Sequence, residues 1–120
     1  MTVAEAMKKM ILFSNGNQHD INHFLKVHAY AATIGACEGL PEDTLQTLEL
    51  AAIVHDIACP LCREKYGNTN GNYQQLEGAP LTRDFFAGTD IPADQLERIV
   101  WLVAHHHTLR PIEGPDHQIL

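Results

Sequence analysis

The sequence has few of the features that mark secreted or membrane proteins. Three cysteines among 120 residues are too few, and odd in number, for a disulfide framework. No apolar run approaches the ~18 residues that a membrane helix needs. The N-terminus, which mixes charged residues into its apolar positions, does not have the pattern of a secretory signal. These absences predict a soluble, cytoplasmic protein without a membrane partner.

Positive charge is also scarce. Eight Lys and Arg residues against fifteen Asp and Glu residues give a formal net charge of −7. The basic residues are scattered along the chain, so the electrostatic footprint of a nucleic-acid-binding protein is missing. The sequence therefore predicts no nucleic-acid partner.

Strand-like alternation and internal repeats are missing as well, and helical periodicity predicts an all-α bundle of five to six helices. Thr2 and Asp20 are suitable N-caps for the first two helices, and residues 60–75 are expected to be largely a mobile loop. The predicted helices cover residues 2–13, 20–39, 41–58, 61–66, 73–87 and 91–107, with a further helical turn from 116. The second helix is expected to bury a stripe made of His23, Val27, Tyr30, Ile34 and Cys37.

Histidine, in contrast, is abundant, with eight residues, a composition typical of metal sites and pH sensors. His55 and Asp56 interrupt the apolar run LELAAIVHDIA at residues 48–58. Burying an imidazole and a carboxylate is costly unless something compensates them, and a divalent metal can do so. A surface-facing or hydrogen-bonded pair at a helix end is the alternative.

Two further helices direct histidine towards the core. His23 lies on the predicted stripe of the second helix, and His106 follows an apolar face of the last long helix, flanked by His105 and His107. Histidines on three helices, together with a carboxylate, favour a site for a divalent transition metal of the group Mn, Fe, Ni, Co and Zn. For the triple histidine, a solvated helix C-terminus is the alternative.

Four segments resemble the HD superfamily of metal-dependent phosphohydrolases. They are HFLKV at 23–27, LAAIVHDIA at 50–58, and the later YQQLEGAPLTRDFF and VAHHHT. Members of this superfamily have a histidine on one helix and a His-Asp pair at the end of a later helix. The resemblance covers most of the chain and implies a single HD-domain helical bundle over residues 1–120.

By this resemblance, His55 and Asp56 are catalytic residues and, with His23, hold one metal ion. His105 or His106 would hold a second ion or bind the phosphate. The implied reaction is hydrolysis of a small phosphate ester, expected to be a nucleotide. A non-catalytic HD module that binds metal or nucleotide as a sensor is the alternative, and a homo-oligomer is left open.

The sequence departs from the family pattern at its C-terminus. Family members place a last aspartate one or two turns into the helix that follows the loop, whereas this chain ends at Leu120, where that helix begins. The apolar residues at this end favour a truncated C-terminal helix. Asp116 as a replacement, or a site without its fourth ligand, are the other interpretations.

Two cations, Arg63 and Lys65, follow the His-Asp pair and are candidates for binding phosphate. Two solvated loop cations explain them equally well.

The Cys59-Pro60-Leu61-Cys62 segment has the spacing of half a zinc site or of a redox pair. No second such segment occurs, and the strand that precedes a thioredoxin-like motif is not predicted. A thiol or zinc protein organised around these cysteines is the third hypothesis.

Overall fold

The computed structural model describes residues 1–106 and 114–120, and within these ranges the chain folds into helices joined by short turns, with no strand. Six helices have eight or more residues, and a seventh is shorter. They are α1 (Val3–Phe13), α2 (Gln18–Cys37), α3 (Glu42–Val54), α4 (Cys59–Tyr66), α5 (Gly71–Phe86), α6 (Ala93–His105) and α7 (Pro115–Ile119). The all-α prediction is confirmed. His107, the last residue of the predicted helix 91–107, lies outside the described residues.

The central helix of the fold is α3. Since α1, α2, α6 and α7 all pack against it, its C-terminal half is buried on almost every side. The buried residues of α3 are Thr47, Leu48, Leu50, Ala51, Ala52, Ile53 and Val54. A helix that is apolar all round requires such a central position.

Residues Glu42–Tyr66, which contain α3 and α4, are long and apolar enough to cross a membrane by length and composition alone. Of the most apolar window in this stretch, 67% is buried inside the fold. This burial is what the core helix of a globular domain shows.

The face of α2 that meets the core is not the predicted stripe. α2 buries Ile21, Phe24, Ala31 and Gly35, whereas Tyr30 and Ile34 of the predicted stripe are 66% and 44% exposed. The small residues explain the choice of face. At Gly35, α2 and α3 approach so closely that an added Cβ would lie 2.7 Å from Leu45 Cδ1. Periodicity finds apolar residues on both faces of α2 and does not show which face meets α3.

The expectation that residues 60–75 are largely a mobile loop is wrong, whereas the short helix predicted within them at 61–66 is confirmed. α4 begins at Cys59, α5 begins at Gly71, and only residues 67–70 link the two helices. Pro60 is compatible with α4 because it lies in the first turn, where a backbone N–H has no intrahelical partner. Arg63 and Lys65 therefore project from a helix instead of a loop.

The His-Asp pair lies where α3 gives way to α4. His55 is the C-cap of α3, and Asp56 follows in a turn of four residues. This turn is fixed by backbone hydrogen bonds, with Ile57 N–H donating to Val54 O (3.0 Å) and Cys59 N–H donating to Asp56 O (2.9 Å). The pair lies close to a helix break, as predicted, but the break comes earlier, because α3 ends at Val54 and not at residue 58.

Replacing Gly35 by Val should destabilise the fold, because the new side chain must displace Leu45 and Leu48 at the α2–α3 contact. We expect a loss of about 1–3 kcal/mol in the free energy of unfolding, despite the higher helix propensity of Val. Ala36→Val, at the next and exposed position of α2, is the matched control and should cost under about 1 kcal/mol. Equal unfolding free energies for the two variants in urea would contradict the close contact.

Candidate metal centre

The His55 side chain is fixed by the helix that it ends. It is only 7% exposed, and its Nδ1 lies 2.7 Å from the carbonyl oxygen of Ala52. A carbonyl oxygen only accepts hydrogen bonds, so Nδ1 carries the proton and donates it. In the neutral ring, Nε2 then presents a lone pair, as in a metal-binding histidine whose other nitrogen is held by a backbone carbonyl.

Three potential ligand atoms converge at this point. His23 Nε2 lies 3.2 Å from His55 Nε2 and 3.0 Å from Asp56 Oδ2, and His55 Nε2 lies 3.2 Å from the same oxygen. Ligand atoms bonded to one ion at about 2.1 Å are roughly 3.0–3.4 Å apart when they are adjacent in octahedral or tetrahedral coordination. The spacing of these three atoms therefore fits a single divalent transition-metal ion.

The protonation of the cluster also favours a cation. Burial by itself would raise the pKa of Asp56, but hydrogen bonds and charges from His106 and His55 outweigh it and hold this pKa far below its usual range. Burial lowers the pKa of His55, and the hydrogen bond and charge of Asp56 overcome that effect and raise it. Without a proton or a cation between them, His55 Nε2 and Asp56 Oδ2 would oppose lone pairs across 3.2 Å.

His106 reaches the other oxygen of the same carboxylate. It is the C-cap of α6, and its Nδ1 donates to Val103 O at 2.6 Å, as His55 does to Ala52. Its Nε2 lies 3.3 Å from Asp56 Oδ1. Asp56 thus faces His23 and His55 through one oxygen and His106 through the other.

The matched family agrees with this geometry. The model of the HD domain family matches residues 20–119. The chain belongs to the HD domain family. HD domains form a superfamily of metal-dependent phosphohydrolases that bind divalent metals, and the matched range contains the whole His23–His55–Asp56 cluster. Comparisons with the curated proteins and with the solved structures give no match.

The predicted ligand His105 and the alternative fourth ligand Asp116 lie elsewhere in this HD domain. His105 donates through Nδ1 to Trp101 O at 2.8 Å, and its ring stacks on the Trp101 indole at 4.3 Å. Asp116 accepts two hydrogen bonds from Arg98, at 3.1 and 2.8 Å. Both residues belong to the contact between α6 and α7, so the structure does not bring them to the cluster around Asp56.

The two predicted phosphate-binding cations have different surroundings. Lys65 donates to Glu77 Oε1 at 2.8 Å and lies over the ring of Tyr66, in the contact between α4 and α5. Arg63 instead donates through Nη2 to both carboxylate oxygens of Asp20, at 2.7 and 2.9 Å. Of the two, only Arg63 is joined to a residue of the cleft that contains His23 and Asp56.

Asp20 is the residue of this cleft that sequence reasoning missed. The sequence suggests it as an N-cap, but the N-cap of α2 is Asn17, whose side chain accepts from Asp20 N–H at 3.1 Å. Asp20 lies one turn before His23, and the two residues line the cleft with Asp56 and Pro60. Asp20 precedes His23 by three residues, and this i, i+3 spacing, which puts both side chains on one face of a helix, was the signal in the sequence that could have identified it.

The two cysteines of α4 lie inside the fold. Cys62 is fully buried and Cys59 is 9% exposed. Burial, together with the charge of Asp56, raises the pKa of Cys59 to about 12, and burial also raises that of Cys62. Since the thiolate is the reactive and metal-binding form, this setting gives no support to a thiol or zinc function.

We expect the three cysteines to differ in reactivity. At pH 8, a thiol-specific alkylating reagent should modify the exposed Cys37 rapidly and spare Cys59 and Cys62, because both are buried and protonated. Peptide mass spectrometry after a timed reaction measures this order. The same reaction in denaturant, where all three should react, is the control. Modification of Cys59 in the folded protein at the rate of Cys37 would contradict the buried position.

Proposed function

We propose that this HD domain hydrolyses a nucleotide or another small phosphate ester, with a divalent transition metal held by His23, His55 and Asp56. The observation that carries the proposal is the convergence of His23 Nε2, His55 Nε2 and Asp56 Oδ2 within 3.2 Å of one another. The mixed imidazole and carboxylate donors indicate a class of metals, Mn, Fe, Ni, Co and Zn, and do not select one of them.

An ion of this class supplies a bound water of lowered pKa and a Lewis acid for a phosphoryl oxygen. Around it, the chain sets the protonation states. Ala52 O holds the proton of the neutral His55 ring on Nδ1, so Nε2 is the nitrogen that can bind a metal, and Asp56 stays ionised. These are the states in which imidazole and carboxylate bind a metal.

His106 and Arg63 have proposed roles on the substrate side. His106 Nε2, already at 3.3 Å from Asp56 Oδ1, either assists in holding a second ion or, when protonated, donates to the phosphate. Arg63 is the better placed of the two predicted cations, because its partner Asp20 lines the cleft with His23 and Asp56, whereas Glu77, the partner of Lys65, does not. A guanidinium matches the geometry of phosphate oxygens.

His55→Ala tests the proposal. Purified wild-type protein should contain close to one equivalent of transition metal by mass spectrometry. The variant should lose most of the metal, and its hydrolysis of a panel of phosphate esters should fall at least about a hundredfold. His28→Ala is the matched control, because His28 pairs with Glu49 between α2 and α3 and is outside the cluster. If His55→Ala keeps both metal and activity, the proposal is wrong.

A non-catalytic sensor is the second candidate, and one observation favours it. In the described residues the cluster has three protein ligands, and Asp116, the candidate for the fourth, is bound by Arg98.

As a sensor, the domain would be stabilised by metal or nucleotide without turning it over. At a hundred times Kd, a ligand should add about 2.7 kcal/mol to the free energy of unfolding. Thermal melts with added Mn²⁺ or a nucleotide, alongside an assay for phosphate release, measure both properties. Hydrolysis that a chelator abolishes would exclude the sensor in favour of the enzyme.

A further inference from the structure

The cleft contains a second carboxylate, Asp20, which the metal cluster does not use. Asp20 and His23 are one turn apart near the start of α2 and line the same cleft as Asp56. The carboxylate oxygens of Asp20 face Arg63. The two acids of the cleft therefore have different partners. Asp56 faces three imidazoles, whereas Asp20 is bound by the Arg63 guanidinium and has the exposed His19 ring, at 3.8 Å, as a second neighbour.

The contact uses only one end of the guanidinium. Arg63 Nη2 donates to both oxygens of Asp20, and Nε and Nη1 form no hydrogen bond with any residue in the ranges 1–106 and 114–120. Three N–H groups of the fork are thus left for another acceptor. The Arg63 side chain is 42% exposed, so an anion in solution can reach it.

Stability alone does not explain this pair. An ion pair with one partner well exposed contributes little to the free energy of unfolding. The thiol of Cys59, which follows the His-Asp turn, experiences the charges of Asp56, Arg63 and Asp20. These three charged groups therefore lie near one another. A cationic group at this place can bind the phosphate of a substrate.

We infer that Asp20 is a positioning residue, which holds the Arg63 guanidinium beside the His23–Asp56 cluster so that its remaining N–H groups bind the phosphoryl oxygens of the substrate. This inference rests on the proposed function and adds to it the part of the site that recognises the anion. Holding Arg63 in advance removes the cost of ordering a long side chain when the phosphate binds.

The sign of the effect of Asp20→Asn makes the inference testable. Removing a negative charge from the cleft should, by electrostatics alone, strengthen the binding of an anion. If Asp20 acts by holding Arg63, the same change should weaken it. With inorganic phosphate titrated calorimetrically into the metal-loaded protein, we expect Asp20→Asn to raise Kd about fivefold and Arg63→Ala to raise it about tenfold or more.

The double variant tests whether Asp20 acts through Arg63. Asp20→Asn in the Arg63→Ala background should cause no further loss of phosphate affinity. The exchange Asp20→Arg with Arg63→Asp retains an ion pair but moves the guanidinium to α2, and it should not restore binding. Glu97→Gln is the matched control, because Glu97 accepts from Arg83 in a similar exposed pair between α5 and α6. Its phosphate Kd should equal that of the wild type.

Several results would overturn the inference. The first is an unchanged or lower phosphate Kd in Asp20→Asn. The second is an equal loss of phosphate affinity on Asp20→Asn in the wild-type and Arg63→Ala backgrounds. The third is restored phosphate binding in the exchanged pair. Metal content separates this failure from that of the proposed function. A wild-type protein that binds neither metal nor phosphate contradicts the proposed function, whereas loss of metal in Asp20→Asn alone would place Asp20 in the metal centre and refute the positioning role.

Discussion

The fold depends on compensation of the partly buried Asp56 carboxylate. Three helices each place an imidazole nitrogen within 3.3 Å of it, His23 from α2, His55 from the end of α3 and His106 from the end of α6. An ionised carboxylate in this setting would be costly without such partners. The contacts of Asp56 therefore depend on how α2 and α6 pack against α3, since a shift of either helix would remove a partner of Asp56.

Helix termination sets the tautomers of two histidines of the site. The last carbonyl groups of an α-helix have no intrahelical N–H partner, and at the ends of α3 and α6 a histidine donates to one of them through Nδ1. The same hydrogen bond that completes the helix turns the Nε2 lone pair towards Asp56. His105, one residue earlier in α6, donates to a carbonyl in the same way but stacks on Trp101, so residue position on the helix decides which histidine joins the site.

Residues of the same charge that look equivalent in the sequence have different partners in the structure. Lys65 neutralises Glu77 between α4 and α5, while Arg63, two residues earlier, reaches back to α2. Arg98 holds Asp116 at the start of α7, and Asp56 is surrounded by imidazoles. Belonging to the HD domain family makes a metal-dependent phosphohydrolase the general expectation. These pairings separate the carboxylate that faces imidazoles, Asp56, from the carboxylates that pair with Arg or Lys.

By itself, the sequence determined the helical fold and a helix break close to the His-Asp pair, because periodicity and Pro60 are local signals. It proposed His23, His55, Asp56, His105 and His106 as one group, and only the structure separates His106 from His105. It did not determine the buried face of α2, since both faces carry apolar residues and only the close approach at Gly35 selects one. Tertiary structure also decided that only residues 67–70 link α4 and α5 and that Asp20, 43 positions from Arg63, is its partner. Such pairings depend on which helices become neighbours, and periodicity along one helix carries no information about that.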